Sequence, residues 1–454
     1  MSINFKLSCL VSAGLLISSP AMAVDLVGVH ELAEKNDPRL RAAELRREAT
    51  GENKNIARAN LLPQIGATGS WTWGTSKTEV RVPGLVIPDS DIDTANYGAD
   101  LSQSLYRQAN YESLDVARGQ VSQADALYQV AYQDFLLRVS EEYFLVLTLT
   151  DGVIFREAEE KAFKRQFEQA EQRFEVGLTA VTDVHEARAS YDAARARAIV
   201  ARNNLADAKE ALKELTGEYF EEYDPLQDVL PLVEPEPNNA QAWVDMALQS
   251  NPAVVASRAA VDVAEANMRL ARSGHLPTLD LIASYNQYND NAYVYRNFDE
   301  QGNLNEFNSS LQNDDLQARI VLDIPIYQGG RVTAQTRQAR YLMDASWQDL
   351  DDVQRGVVRQ TQNTFRAVLA GIQEVQAFEQ ASISAESALE ATQAGFEVGT
   401  RTIVDVLIAE QRRFSAQRDN SVARHAYIIN HLRLKRVAGL LQAEDLAVIN
   451  QLLN

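Results

Sequence analysis

Cysteine occurs once in the 454 residues, as Cys9. It falls in a stretch with the form of an export signal: Lys6, an apolar run from Leu7 to Ile17, and the small-x-small triplet Ala21-Met22-Ala23. Cleavage there starts the mature chain at Val24 and leaves no thiol, which excludes disulfides and thiolate metal sites. Long apolar runs are missing too. None beyond the signal approaches the roughly 18 to 20 residues of a membrane-spanning helix, so this exported chain would have to enter a membrane through strands. Basic residues are few, 43 against 63 acidic, for a formal charge of −20. Loss of Lys6 with the signal takes this to −21, an excess that excludes nucleic acid as a partner. Among the five histidines, His30, His185, His275, His425 and His431, no two stand at i,i+4. With no phosphate loop, nucleophile elbow or paired-thiol motif either, neither an enzyme nor a metal or cofactor site is expected.

Proline is the most informative scarcity. The twelve prolines leave two windows, 89–224 and 326–454, with none, and a proline inside a helix costs about 3 kcal/mol. Those windows can therefore carry long helices. Each holds one copy of a duplicated stretch: Phe174-Glu175-Val176-Gly177-Leu178-Thr179-Ala180-Val181-Thr182-Asp183-Val184 recurs 222 positions later as Phe396-Glu397-Val398-Gly399-Thr400-Arg401-Thr402-Ile403-Val404-Asp405-Val406. Gly177 and Gly399 supply the left-handed position that ends one helix. Thr182-Asp183 in the first copy, and Thr402 with Asp405 in the second, supply oxygens for the free N–H groups of the next. Both stretches read as tips of helical hairpins.

The N-terminal parts of the copies match at an offset of 214, as in Pro38 with Pro252 and Ala57-Arg58 with Ala271-Arg272. One helix, roughly Val29 to Asn60, should run up to Leu62-Pro63, and its counterpart up to Leu276-Pro277. The period then changes to two. Ile65, Ala67, Gly69, Trp71 and Trp73 share one face, and Tyr97, Ala99, Leu101 and Leu105 repeat the pattern. In the second copy Ala318, Ile320, Leu322, Ile324 and Ile326 alternate with polar neighbours, and Leu279 and Leu281 open the partner strand. Strands of about ten residues with one apolar face and aromatic ends fit an outer-membrane barrel, the alternative being a soluble sandwich. Four strands cannot close a barrel, which needs about eight, so closure requires several chains. Pro83 to Asp93 and Asn297 to Asp314 would be the external loops.

Ala109 to Phe174 and Arg331 to Phe396 span 66 residues each, about 100 Å of helix at ~1.5 Å per residue. The returns are shorter, so two short helices should line each long one. Val184, Ala187, Tyr191, Ala194, Ala198, Ala201, Leu205, Ala208, Leu212 and Leu215 form the first packing seam. The second seam keeps Val406, Ala409, Ala423, Leu434 and Val437 but adds Arg413, Asn420 and Asn430. The organisation expected is a signal peptide at 1–23 and a first repeat at 24–217 with strand pair 64–107 and tip 175–183. A linker at 218–238 leads to a second repeat at 239–441, with strand pair 278–327 and tip 397–405, and to a C-terminal segment at 442–454. Linker and C-terminal segment should meet in a belt at mid-height.

Several literal stretches resemble the TolC family of outer-membrane efflux channels of Gram-negative bacteria, over essentially the whole mature chain. They are Gly274-His275-Leu276-Pro277-Thr278-Leu279-Asp280, Pro325-Ile326-Tyr327-Gln328-Gly329-Gly330, Val176-Gly177-Leu178 with Val181-Thr182-Asp183-Val184, and Val398 through Leu407. The resemblance implies a mainly helical trimer with a twelve-stranded barrel in the outer membrane and a twelve-helix tunnel in the periplasm. It implies as partners outer-membrane lipid, a periplasmic adaptor and an inner-membrane pump of the ABC or RND type, for efflux or type I protein secretion. By the same resemblance Thr182, Asp183, Phe396, Arg401 and Asp405 would form the gate and constriction at the tips. The family's tyrosine is replaced by Phe396, and its second acidic position by Ile408. The rival reading is a trimeric coiled-coil surface stalk or adhesin, which would need neither a glycine-tipped hairpin nor strand pairs repeated in each copy.

Overall fold

The computed structural model describes residues 23–77, 90–298 and 304–453. The expected signal, apart from Ala23, and residues 83–89 and 299–303 of the two expected external loops lie outside the described residues. Thirteen elements follow in order: α1 (Leu26–Asn36), α2 (Pro38–Ala59), β1 (Gln64–Ser76), β2 (Ser90–Arg107), α3 (Gln108–Glu175), α4 (Val181–Thr216), α5 (Ala240–Ser250), α6 (Pro252–Ser273), β3 (Thr278–Phe298), β4 (Leu304–Asp323), α7 (Arg331–Glu397), α8 (Ile403–Val437) and α9 (Ala443–Asn450). Helices α3 and α7, in the proline-free windows, run 68 and 67 residues. No described helix is long and apolar enough to cross a membrane.

Two compact units contain these elements, and they cut across the sequence repeats. One holds residues up to 42, 131–251 and 357 onward; the other holds 43–130 and 252–356. The second unit is built on the antiparallel sheet, in the order β1-β2-β3-β4. Trp71 and Trp73 lie on one face of β1 with ring centroids 5.6 Å apart, as period-two alternation requires. The strands are longer than expected. β3 and β4 stay paired from Thr278↔Asp323 to Phe298↔Leu304 past an irregularity between Asp290 and Tyr293, so 297–298 and 304–314 are strand rather than loop. Ser90 to Asp93 likewise belong to β2. Backbone pairing does not require apolar side chains, so the ladder continues into polar sequence. At the other end β4 stops at Asp323, before Ile324 and Ile326, where Pro325 has no N–H to give the ladder. Beside the sheet, α3 and α6 approach closely: a Cβ on Gly119 would stand 2.8 Å from Val263 Cγ2.

Each expected entry helix is two helices. The break falls at Asp37-Pro38 in one copy and at Asn251-Pro252 in the other. Proline disfavours the helical region for the residue before it, and Asp37 and Asn251 are extended with ψ of 113° and 121°; the proline then fits the first turn of a new helix. Both corner residues are buried and bonded: Asp37 pairs with Arg138, while Asn251 Nδ2 donates to the Val437 carbonyl at 2.7 Å. The first seam buries Ala187, Ala194, Ala198, Ala208, Leu212 and Leu215 against neighbouring helices. In the second, Arg413 stays on the seam by pairing with Glu386 and Glu410, both at 3.4 Å or less. The linker and the C-terminal segment meet at a bridge between Leu226 and Leu453, and Gln227 N–H donates to the Leu452 carbonyl at 3.0 Å.

Candidate gate at the hairpin tips

Both tips use one backbone device. At the first, Leu178 N–H donates to the Arg173 carbonyl at 2.8 Å and Gly177 N–H to the Phe174 carbonyl at 2.9 Å. At the second, Thr400 N–H donates to Gly395 at 2.9 Å and Gly399 N–H to Phe396 at 3.1 Å. This is a Schellman closure, which needs a left-handed residue; Gly177 and Gly399 have φ of 75° and 78°. The duplicated glycines therefore turn the chain as expected.

The tips differ in how the returning helix starts. Thr402 caps α8: its Oγ1 accepts from Asp405 N at 3.2 Å, and Asp405 Oδ2 accepts from Thr402 N at 2.9 Å, a reciprocal box. The backbone hydrogen bond from Thr402, then its hydroxyl, holds the Asp405 carboxyl below the usual carboxylate range. The first tip lacks this arrangement, contrary to the expectation for Thr182-Asp183. Its cap position is Ala180, whose side chain offers no oxygen. Thr182 is exposed on the first turn of α4, and the Asp183 carboxylate takes the Thr179 hydroxyl.

An apolar cluster joins the two hairpins near the tips. Phe163, Ala170, Ala187 and Ala194 from α3 and α4 pack with Ile403 and Leu407 from α8, and the half-buried Phe396 leans on it. Phe396 also touches a second cluster, Leu389, Val406 and Ala409. Its counterpart Phe174 is 44% exposed, so only the second copy commits this ring to the junction. Arg401 is exposed; its backbone N–H donates to Gly395 at 3.2 Å, and among the described residues no ion pair joins it to Asp183 within the chain. Ile408 is 43% exposed, one turn beyond Asp405. Between α3 and α7 lies a groove of ≈ 590 Å³ whose lining includes Arg173 and Phe396 together with Gln166, Gln169, Gln172, Gln393 and Glu397.

Two features of this region escape the sequence. Arg173 places its guanidinium over the Phe396 ring, 4.8 Å from the centroid. Glu159, fully buried in α3, is held by Arg156 at 2.8 Å and Arg197 at 2.9 Å. The repeat offers a signal for the first only in outline, since Arg173 aligns with Gly395 and the copies part chemically there.

The duplicated plan is that of a known family. The profile described as outer membrane efflux protein matches residues 29–218 and again 243–440. The chain belongs to the outer membrane efflux protein family. Among relatives of this efflux family, the outer membrane protein TolC of Vibrio cholerae is 38% identical over 97% of this chain and 96% of its own. The alkaline protease secretion protein AprF of Pseudomonas aeruginosa is 31% identical over 96% of this chain and 88% of its own. The solved structure of the Campylobacter jejuni CmeC outer membrane channel matches with a TM-score of 0.76 at 15% identity, covering 100% of this chain and 98% of that one. Membership places the chain in the outer membrane, in a family of channel proteins and not of enzymes, and removes the stalk or adhesin reading.

Proposed function

We propose that three copies of this outer-membrane efflux channel assemble into one duct, gated at its hairpin tips, that receives cargo from an inner-membrane pump through a periplasmic adaptor. The observation that carries this reading is the four-stranded sheet, whose β1 and β4 edges have no partner strand among the described residues. A four-stranded sheet is too narrow to close, and hydrocarbon tolerates no open edge, so β4 of one copy pairs with β1 of the next. Similarity to AprF, a protease secretion protein, supports type I secretion alongside efflux. Asp405, ionised and presented at the tip, would form a three-fold acidic ring that attracts cations.

The gate joins the hairpins, and its polar contact runs from Arg401 to the Thr182-Asp183 corner across the closed tips. A charge-assisted contact of this kind contributes about 1.5 to 3 kcal/mol where shielded and less where water reaches it. Planar-bilayer recording tests both claims. Arg401→Ser and Asp183→Ala should each raise single-channel conductance, and together no further than the larger effect, since they remove one contact. Simple addition of the two effects, or cross-linking of the wild type that stops at a dimer, contradicts this account.

A further inference from the structure

Phe396 lacks the hydroxyl that would let it hydrogen-bond, yet it stands where both apolar clusters of the tip region meet. One cluster spans the two hairpins and the other belongs to the second hairpin, so the ring cannot move without disturbing either. Arg173 reaches it from the opposite hairpin. Its guanidinium carbon lies 4.8 Å from the ring centroid, within the distance at which a cation is attracted to the negative face of an aromatic ring. Its backbone is fixed as well, because the Arg173 carbonyl accepts the Leu178 N–H of the glycine turn. No ion pair engages Arg173 among the described residues. Its groove neighbours Gln166, Gln169, Gln172 and Gln393 are neutral amides, and Glu397 lines the same groove without pairing with it.

We propose that Arg173 is a positioning residue of the gate: by seating its charge on Phe396 it ties α3 of the first hairpin to α7 of the second and favours the closed tip. The contact does through the face of the ring what a phenolic hydroxyl would do through its edge. Spreading the hairpins breaks it. This inference rests on the reading of the tips as the gate.

The test is bilayer recording of the assembled channel with Arg173→Gln, Arg173→Lys, Phe396→Leu, the Arg173→Gln/Phe396→Leu double variant and Arg401→Ser. Arg173→Gln removes the charge but keeps an amide, and should raise the open-to-closed ratio about two- to five-fold per chain, the range for a partly exposed cation–ring contact. Phe396→Leu keeps apolar bulk but removes the ring face, and the double variant should open no further than the larger single change. Arg173→Lys keeps a cation over the ring and should retain most of the closed population. If Arg401→Ser opens the channel while Arg173→Gln does not, Arg173 has no part in the gate although the tips do. If Arg173→Lys opens as far as Arg173→Gln, attraction between cation and ring is not the cause. Failure of every variant to open the channel overturns this inference and the gate reading together.

Discussion

His425 gives the most quantitative prediction. It is 5% exposed, with Nδ1 2.9 Å from Thr148 Oγ1 and its ring beside Phe144. The Thr148 hydroxyl is 2.7 Å from the Phe144 carbonyl and spends its one proton there, so His425 Nδ1 carries hydrogen and donates to Thr148. A second proton must go to Nε2. Burial opposes it, Asp151 favours it and Arg424 opposes it, and the result is a pKa pushed down to about 4 from 6.5. Since the folded value lies below the unfolded one, the unfolded chain binds more protons between those pH values. Stability is intact above pH 6.5 and is lost as pH falls toward 4, by about 3 kcal/mol per chain at 1.36 kcal/mol per pKa unit. His425→Asn keeps an N–H for Thr148 and cannot ionise. Guanidinium unfolding followed by far-UV circular dichroism at pH 7.5 and 4.5 should therefore show the wild type losing about 2 to 3 kcal/mol more than the variant. Equal losses in the two proteins would refute the assignment of a buried neutral imidazole.

Gly439 and Gly177 share a left-handed backbone, with φ of 74° and 75°, but not the space around them. A Cβ at Gly439 would stand 2.3 Å from the Ser250 carbonyl oxygen, whereas nothing lies within 4 Å at Gly177. Gly177→Ala should cost about 1 kcal/mol and Gly439→Ala about 3 kcal/mol or more, read as shifts in thermal unfolding. Thr402→Ala and Asp405→Asn separate the two roles of the second tip. The first should cost about 1 kcal/mol of helix capping and leave cation preference unchanged, while the second should reduce cation preference and block by multivalent cations. Equal selectivity in Asp405→Asn and wild-type channels would place the constriction elsewhere.

The glycine turns, the long helices and the Thr402-Asp405 box were legible because each depends on neighbours in sequence: a positive φ, a proline-free window, a three-residue spacing. The corners at Asp37 and Asn251 were less so. Each sits in an otherwise helical pattern, and what stabilises the break is a distant partner, Arg138 or the Val437 carbonyl. Arg413 looked like an interruption of its seam until Glu386 and Glu410 were placed beside it. The cap at the first tip was misread because the repeat suggested equivalence, although α4 starts after Ala180 and Asp183 turns to Thr179. At the candidate gate, the turns at Gly177 and Gly399 followed from the duplication, while Phe396 came only from the resemblance to the family. Arg173 came from neither, since a guanidinium over a ring 223 residues away leaves no periodic mark.

The sheet with two open edges also constrains how the protein is made. A chain inserting alone would carry the outer edges of β1, 13 residues, and β4, 20 residues, into hydrocarbon with their amide and carbonyl groups unmet. Each such group costs several kcal/mol there, a sum that burial of a few tryptophans and leucines does not offset. If copies share one barrel as proposed, strand pairing between them would therefore come before or during insertion. In that case a meeting of chains is itself a step of biogenesis, and the yield of mature protein would depend on how many unassembled copies are present at once.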